Sequence, residues 1–548
     1  MTRIVILGGD VLARRVCEEL METDGQAVTV LWERDDDLAE AVRRCGADFL
    51  ARSGDERESL LGAGIRAADV LIAVSEDDHL NLQFALTARD LNGAIRVVLR
   101  QFNRTLGRKI EQNLPNCSVI SLASHSAATY ASAAADRTCF YGVQFPDIDG
   151  PLVGFFARGA GELGVGGSTV AQTEAHLGVR VLACNDDPDV ARGQLLRADD
   201  RLVLFGLVRA RLSRPAEATT HPSSGPGLRA LLRALWKFDT VARRTLFVAL
   251  IIFVLGATYF ARTLGLDPGS AAYYVFETMT TTGYGDIIPH HEPLSEAVAV
   301  LLMLSGLTFT GIFIAILTAS YTQARYVAVQ GLRQISRRGH VVVCGAGNVG
   351  SAVIDYLLGL GAAVVVVEAA PRPEIVERSR ERHFDLLTGD ATHEPTLDLC
   401  NVAEAAAVVA LTQSDTMNLE VALAARARVA DMPVIMRVQH ASFEKSMRRH
   451  FGFESTYGTA ALAAPVLAGL AHDRGVRGRV TIGGRAFGIL EQQHGDVVLP
   501  PPLERCVPLA VWRRGAVVPV ATFDDLRPHD RSLQLYPIWR FQRASEPA

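Results

Sequence analysis

The sequence predicts a helical membrane domain inserted between two copies of a doubly wound α/β domain. Three observations carry that prediction. Two long apolar segments stand close together near the middle of the chain, a glycine-rich turn follows a short apolar run once on either side of them, and the remainder alternates short apolar strands with helical stretches. With 548 residues the chain has room for three or four domains, and a net charge of −5 is small enough that no nucleic-acid partner is implied. Eight cysteines, Cys17, Cys45, Cys117, Cys139, Cys184, Cys344, Cys400 and Cys506, are scattered without a CxxC pair, which points to reduced thiols rather than disulfides or zinc. The first residues show no cleavable signal pattern, in keeping with an N-terminus on the cytoplasmic side.

The first α/β copy opens with the strand Ile4 to Leu7, then Gly8-Gly9-Asp10, a helical stretch, and a strand Val28 to Trp32 ending at Glu33. The second opens with Val341 to Val343, then Gly345-Ala346-Gly347-Asn348-Val349-Gly350, a helical stretch, and Val364 to Val367 ending at Glu368. Both are βαβ openings of a Rossmann-type parallel sheet. Further pairs follow: Gly54-Asp55 with Gly389-Asp390 and, at equal offsets, Asn81 with Asn418 and Arg100 with Arg437. The chain is therefore read as an internal duplication. Late in each copy the stretch Arg197-Ala198-Asp199-Asp200 is answered by Arg527-Pro528-His529-Asp530. The predicted boundaries are 1–140 and 141–212 for the first copy, a Pro/Ser/Thr/Gly-rich linker at 213–227, and 339–475 and 476–548 for the second copy.

Residues 228–330 are the membrane domain. An amphipathic interfacial helix is expected at Leu228 to Phe238, spans at about 245–262 and 294–322, a short re-entrant helix at 270–280 and an extended strand at 281–285. Buried core helices would be equally apolar, but the basic residues argue for spans. Arg229, Arg233, Lys237, Arg243 and Arg244 precede the first span, Arg325, Arg333, Arg337 and Arg338 follow the second, and the loop between has no Lys or Arg after Arg262. Both ends should then be cytoplasmic in a multi-pass protein of the cell membrane. The strand reads Thr281-Thr282-Gly283-Tyr284-Gly285. Glycines at alternate positions permit positive φ, so the carbonyls of Thr281, Thr282, Gly283 and Tyr284 can all face one axis and replace the water around a cation. A Gly-rich turn in a soluble loop is the plainer reading, and the apolar flanks argue against it. With one such strand per chain, four chains must surround the axis, giving a homotetramer in contact with lipid.

Residues Tyr273 to Asp286, YYVFETMTTTGYGD, resemble the pore signature of two-span potassium channels, with Thr282 in the usual place of valine. That resemblance implies potassium ions at the filter carbonyls, aromatic support from Tyr273 and Tyr274, and a carboxyl pair of Glu277 with Asp286 behind the filter, one of which would hold a proton. A Glu277 facing water is the alternative. It also puts Gly306 and Gly311 where related channels carry a gating hinge and a packing glycine, and a glycine in a membrane helix serves close contact as often as bending. The duplicated domains resemble the RCK (KTN, TrkA-N-like) regulators of potassium channels and transporters, which implies a smaller β-rich C-terminal lobe after each Rossmann half, closing in Arg197-Ala198-Asp199-Asp200 and Arg527-Pro528-His529-Asp530.

The two copies differ chemically. In the second, Gly345, Gly347 and Gly350 allow a tight turn, close approach of a pyrophosphate and close helix packing, with Asn348 and Val349 opening the helix. Glu368, about twenty residues on, suits an adenosine ribose, so NAD(H) or an adenine nucleotide is expected there, with Gly389 and Asp390 beside it. Arg372 nearby is the feature that would accommodate NADP instead. In the first copy Asp10 and Ala13 replace the second and third glycines, and a carboxylate in the phosphate path should keep that site empty of dinucleotide. Whether the first copy takes a divalent cation instead is left open. The function expected is a ligand-gated potassium channel rather than an enzyme. The alternatives are a membrane-tethered NAD-dependent oxidoreductase, for which His79, His125, His383 and His393 show no partner pattern, and a regulatory subunit of a separate transporter, which the intact filter makes unnecessary.

Overall fold

Runs such as Val341–Cys344 and Val364–Glu368, almost wholly β-branched and buried on both faces, form parallel strands because such side chains fill the space under covering helices. The computed structural model describes residues 1–22, 25–33, 36–52, 54–102, 104–146, 150–209, 240–289, 292–330, 335–495, 506–520 and 522–538. The linker expected at 213–227, the interfacial helix expected at Leu228 to Phe238, and Arg229, Arg233, Lys237 and Arg333 lie outside the described residues. The chain divides into two units, residues 1–216 with 334–548, and residues 217–333.

In the first unit, β1 (Thr2–Leu7), β2 (Gln26–Trp32), β3 (Asp48–Ala51), β4 (Val70–Ala73), β5 (Arg96–Arg100) and β6 (Cys117–Ile120) form one parallel sheet in the order β3-β2-β1-β4-β5-β6. Strands β7 (Cys139–Gln144), β8 (Leu152–Gly159), β9 (Arg180–Cys184) and β10 (Arg201–Leu207) make an antiparallel lobe in the order β7-β8-β10-β9. The second copy repeats the parallel sheet as β13-β12-β11-β14-β15-β16, with β11 (Val341–Cys344), β12 (Val364–Glu368), β13 (Asp385–Thr388), β14 (Ala407–Ala410), β15 (Val434–Val438) and β16 (Thr456–Gly458). Its lobe, β17 (Val476–Ile482) to β21 (Arg531–Pro537), is five-stranded. In both parallel sheets the strand order reverses beside the first strand, which opens a crevice at the carboxyl ends of the strands.

Buried asparagines hold the duplicated crevices in the same shape. Asn81 accepts from the Ser75 N–H at 2.9 Å and donates to the Ser75 carbonyl at 2.8 Å and the Arg100 carbonyl at 3.4 Å. Asn418 accepts from the Thr412 N–H at 2.8 Å and donates to the Thr412 carbonyl at 3.1 Å and the Arg437 carbonyl at 3.0 Å. The lobes repeat a turn as well: Asp200 accepts from the Arg197 N–H at 2.7 Å, and Asp530 from the Arg527 N–H at 2.8 Å.

The copies also exchange helices. Leu122–Ala135, small-residue-rich and buried along most of its length, packs against Asn348–Gly359 of the second copy and shares a core with Val341 and Val343. Thr459–Leu470 packs reciprocally against Val11–Met21 of the first, in a core with Ile4 and Ile6. Tyr130 donates from its hydroxyl to the Tyr457 carbonyl at 2.8 Å across this exchange. The lobes meet in a third shared core that joins Phe155 and Phe205 to Ile489 and Leu535. Each copy therefore completes the other's hydrophobic core.

The second unit holds the helices Thr240–Thr263, Pro268–Met279 and Pro293–Gln330. Pro293–Ile312 is long and apolar enough to cross a membrane, and Phe247–Thr263 is a shorter apolar segment.

His340, wholly buried just before β11, lies with Nε2 2.9 Å from the Cys400 carbonyl. Burial pushes its imidazole below the ordinary histidine value. A histidine depressed in the folded state contributes stability above its unfolded value, near 6.5, and that contribution is lost as the pH falls through it. The thermal midpoint of the protein in detergent should therefore drop between about pH 7 and about pH 5, with a shallower drop in His340→Gln. A wild-type slope in that variant would overturn the assignment.

Candidate functional site

Asp267 caps the Pro268–Met279 helix by accepting from the Gly269 and Ser270 N–H groups, and Pro268 occupies the first turn, where its missing N–H costs nothing. The helix aims its carboxyl end at the strand that follows. There the Thr281 N–H bonds the Thr278 carbonyl at 3.2 Å and the Thr282 N–H bonds the Glu277 carbonyl at 2.9 Å. The backbone then alternates its hand, with positive φ at Thr281 (61°), Gly283 (54°) and Gly285 (76°). The two glycines were legible in the sequence. Thr281 was not: a β-branched residue there costs on the order of 1–3 kcal/mol and persists only where its surroundings impose it. Its hydroxyl donates to the Thr280 carbonyl at 2.6 Å, while the Thr280 and Thr282 hydroxyls lie 2.9 Å apart.

Glu277 is only 4% exposed and its Oε2 accepts from the Tyr284 N–H at 3.4 Å, which rules out a water-facing side chain within the chain. Asp286 is exposed, and among the described residues no hydrogen bond joins it to Glu277. Tyr274 is buried edge-on against Phe260, their ring centroids 4.8 Å apart, whereas Tyr273 is partly exposed. The Pro293–Gln330 helix runs unbroken through Gly306 and Gly311. At Gly306 a Cβ would fall 2.0 Å from the Met279 carbonyl oxygen, so in this structure that glycine admits the end of the short helix against the long one. Nothing lies within 4 Å of a Cβ at Gly311.

The second site is a cavity of about 810 Å³ at the carboxyl end of β11. Gly345, Gly347, Asn348, Val349, Glu368, Gly389 and Asp390 all line it. Gly350 lies beneath, where a Cβ would strike the Gly345 carbonyl oxygen at 2.0 Å. Gly345 itself has φ 99°, a conformation suited to glycine alone. Gly347 opens the Asn348–Gly359 helix with no side-chain cap, and a Cβ there would meet nothing within 4 Å. The first-turn N–H groups and the positive end of the helix dipole therefore face open space. Glu368 accepts from the Ala346 N–H at 2.6 Å and the Ala370 N–H at 3.3 Å. The Thr392 N–H and hydroxyl hold the Asp390 carboxyl below its usual range. Sequence reasoning matched Arg437 to Arg100 without giving it a role, yet Arg437 lines the cavity, as do Leu122 and Ala123 at the start of the exchanged helix.

The first copy's crevice is built differently, and one alignment needs correction. Leu31 lies opposite Leu7 as Val367 lies opposite Cys344, so the counterpart of Glu368 is Trp32 and not Glu33. The Trp32 indole lies over the turn, where a Cβ on Gly9 would fall 1.9 Å from its Nε1. Glu33 instead pairs with Arg52 at 3.2 Å. Asp10 accepts from the Ala13 N–H at 3.0 Å and from Arg100 at 2.9 Å. Among the described residues no group of three or more His, Cys, Asp or Glu is placed to hold a metal ion.

Residues 4–121 and 341–456 match the TrkA-N domain, and residues 247–323 match an ion channel domain. The voltage-gated potassium channel Kch of Escherichia coli is 26% identical over 225 residues, which are 38% of this chain and 53% of that protein. The calcium-gated potassium channel TvoK of Thermoplasma volcanium is 27% identical over 192 residues, 34% of this chain and 54% of that protein. The chain thus spans about half the length of these curated relatives. Among solved structures, the GsuK channel has a TM-score of 0.50 at 14% identity, covering 98% of this chain and 77% of that one, a likeness of fold. Two TrkA-N domains flank an ion-channel domain in this chain, which makes it a membrane protein.

Gly306→Ala has to push Met279, and the strand behind it, off the long helix. Overpacking of this kind costs about 1–3 kcal/mol. The expected result is a lower thermal midpoint in detergent; an unchanged midpoint would show that the contact is loose.

Proposed function

We propose that the protein is a potassium-selective channel, a homotetramer in the cell membrane with both termini cytoplasmic, whose opening is controlled by NAD(H) or an adenine nucleotide bound at the second TrkA-N domain. The observation that carries the pore reading is the alternation of positive φ at Thr281, Gly283 and Gly285, a pattern that lets successive carbonyls face one side. Residues Thr281 to Asp286 are exposed in the single chain, Tyr284 by 73%, as expected of a strand that finds its partners in three further copies and in the permeant ion. Phe247, Leu255, Leu301 and Leu304 are each more than half exposed, a surface suited to lipid or to neighbouring subunits. Glu277 would hold the filter from behind through Tyr284, and its pairing with Asp286 would form in the assembled pore. Gly306 remains a candidate hinge, one whose movement would be felt at Met279.

The nucleotide reading rests on the open cradle at Gly347 together with the Glu368 carboxylate at the end of β12, where ribose hydroxyls can bind. A 2′-phosphate would be repelled by Glu368, which favours NAD(H) or adenine nucleotides over NADP. In the first copy Trp32 and Asp10 take up that room themselves.

Liposomes carrying the protein should pass potassium and rubidium but little sodium. Sodium flux equal to potassium flux would overturn the pore reading, with Thr282 the first residue to examine.

Gly347→Asp should abolish nucleotide-induced thermal stabilisation, because it places a carboxylate in the phosphate path, and Asp10→Ala should leave that stabilisation nearly intact. Glu368→Ala should weaken binding less, removing ribose hydrogen bonds while keeping the phosphate cradle. Undiminished binding in Gly347→Asp would move the ligand to another site.

A further inference from the structure

The duplication provides an internal template for what the second cleft binds. Backbone equivalence between the copies is fixed by the sheet register and by the asparagine hooks, which place Arg100 and Arg437 at the same point of β5 and β15. Asp10 and Gly347 stand at the same point too, each the residue before the first helix and each with extended backbone. In the first copy the Asp10 carboxylate is shared. Its Oδ1 accepts from the Ala13 N–H of the helix at 3.0 Å, and its Oδ2 accepts from the Arg100 guanidinium at 2.9 Å. Arg100 also donates to the Val74 carbonyl at 3.1 Å, so its position is held from two sides.

The second copy has the donors without the acceptor. Gly347 offers no carboxylate and the helix amino end is uncapped. Arg437 lines the cavity, its Nε is buried without a hydrogen-bond partner, and among the described residues its side chain makes no ion pair. Arg437 is half-buried, and the planar fork of an arginine suits a phosphate as well as it suits a carboxylate. We propose that Arg437 is the phosphate anchor of the second cleft, holding a ligand phosphate between its guanidinium and the amino end of the Asn348–Gly359 helix, in the place that Asp10 fills by itself in the first copy. The inference rests on the nucleotide reading above and sharpens it: the ligand is recognised by its phosphates, and adenosine alone is a poor substitute. The first copy is then a site closed by its own side chains, with Asp10 standing in for phosphate and Trp32 occupying the position of the ribose-binding acid.

The test uses the full-length protein in detergent, with ADP and adenosine as probes and titration calorimetry as the readout. Loss of a charge-assisted hydrogen bond corresponds to a roughly 10- to 100-fold weakening. Arg437→Gln should weaken ADP binding by that factor while leaving adenosine affinity within about threefold, and Arg437→Lys, which keeps the charge but not the fork, should fall between. Retained adenosine binding serves as the control that the variant is folded. ADP affinity unchanged in Arg437→Gln would overturn the anchor while leaving the nucleotide reading in place, and an equal loss for both ligands would overturn it as well. Absence of ADP binding to the wild-type protein would remove the nucleotide reading itself and the anchor with it.

Discussion

A peptide carbonyl needs a partner, and a strand that turns its carbonyls to one side gives up those that a sheet or helix would supply. The rest of the second unit depends on meeting that demand. Positive φ at Thr281, Gly283 and Gly285 sets the direction of the carbonyls, and the N–H groups that such a backbone turns the other way need acceptors behind the strand. Glu277 supplies one, through the Tyr284 N–H, and its own burial follows from standing where that N–H points. The end of the short helix must then come close enough to the long helix to brace the strand, which the missing side chain at Gly306 permits. Glycine at that point is accounted for by contact, and a bend would have to work against it.

In the first unit one backbone plan carries two chemistries. The hooks of Asn81 and Asn418 and the turns of Asp200 and Asp530 show that duplication kept the frame. What diverged is a handful of side chains at the mouth of the crevice: Asp10 against Gly347, Trp32 against Glu368, Ala13 against Gly350. Each change in the first copy fills space or neutralises charge that the second leaves available. The frame needs both copies, because Leu122–Ala135 and Thr459–Leu470 each cover the sheet of the other.

Legibility in the sequence followed the range of the interactions. The glycines of the second turn, Gly283 and Gly285, Glu368 and Asp390 are set by spacing within one βαβ or one helix–strand unit, so local pattern alone points to them. The counterpart of Glu368 was misplaced by one residue because the first strand ends in Trp32-Glu33, and composition cannot tell which of the two is the last paired position. Arg437 was visible only as the match of Arg100, since its lack of a partner is a property of packing. The helix exchange was not legible at all: nothing in the alanine-rich stretch Leu122–Ala135 states which sheet it will cover.

That exchange bears on how a ligand could act. A ligand shifts an equilibrium only by the difference in its affinity for the two states. A nucleotide lying against Gly347 alone would see one rigid turn and would bind every arrangement of the copies alike. The cavity, however, is also lined by Leu122 and Ala123, where the helix of the first copy begins, and by Phe102 just before it. Those residues reach the cleft only because Leu122–Ala135 crosses to pack on Asn348–Gly359, the same helix whose amino end the phosphate would meet. A bound nucleotide would thus touch both members of the exchanged pair, and its affinity would depend on how they are set against each other. Differential affinity of that kind is the physical requirement for control, and the duplicated, exchanged architecture would supply it to a ligand in that cavity.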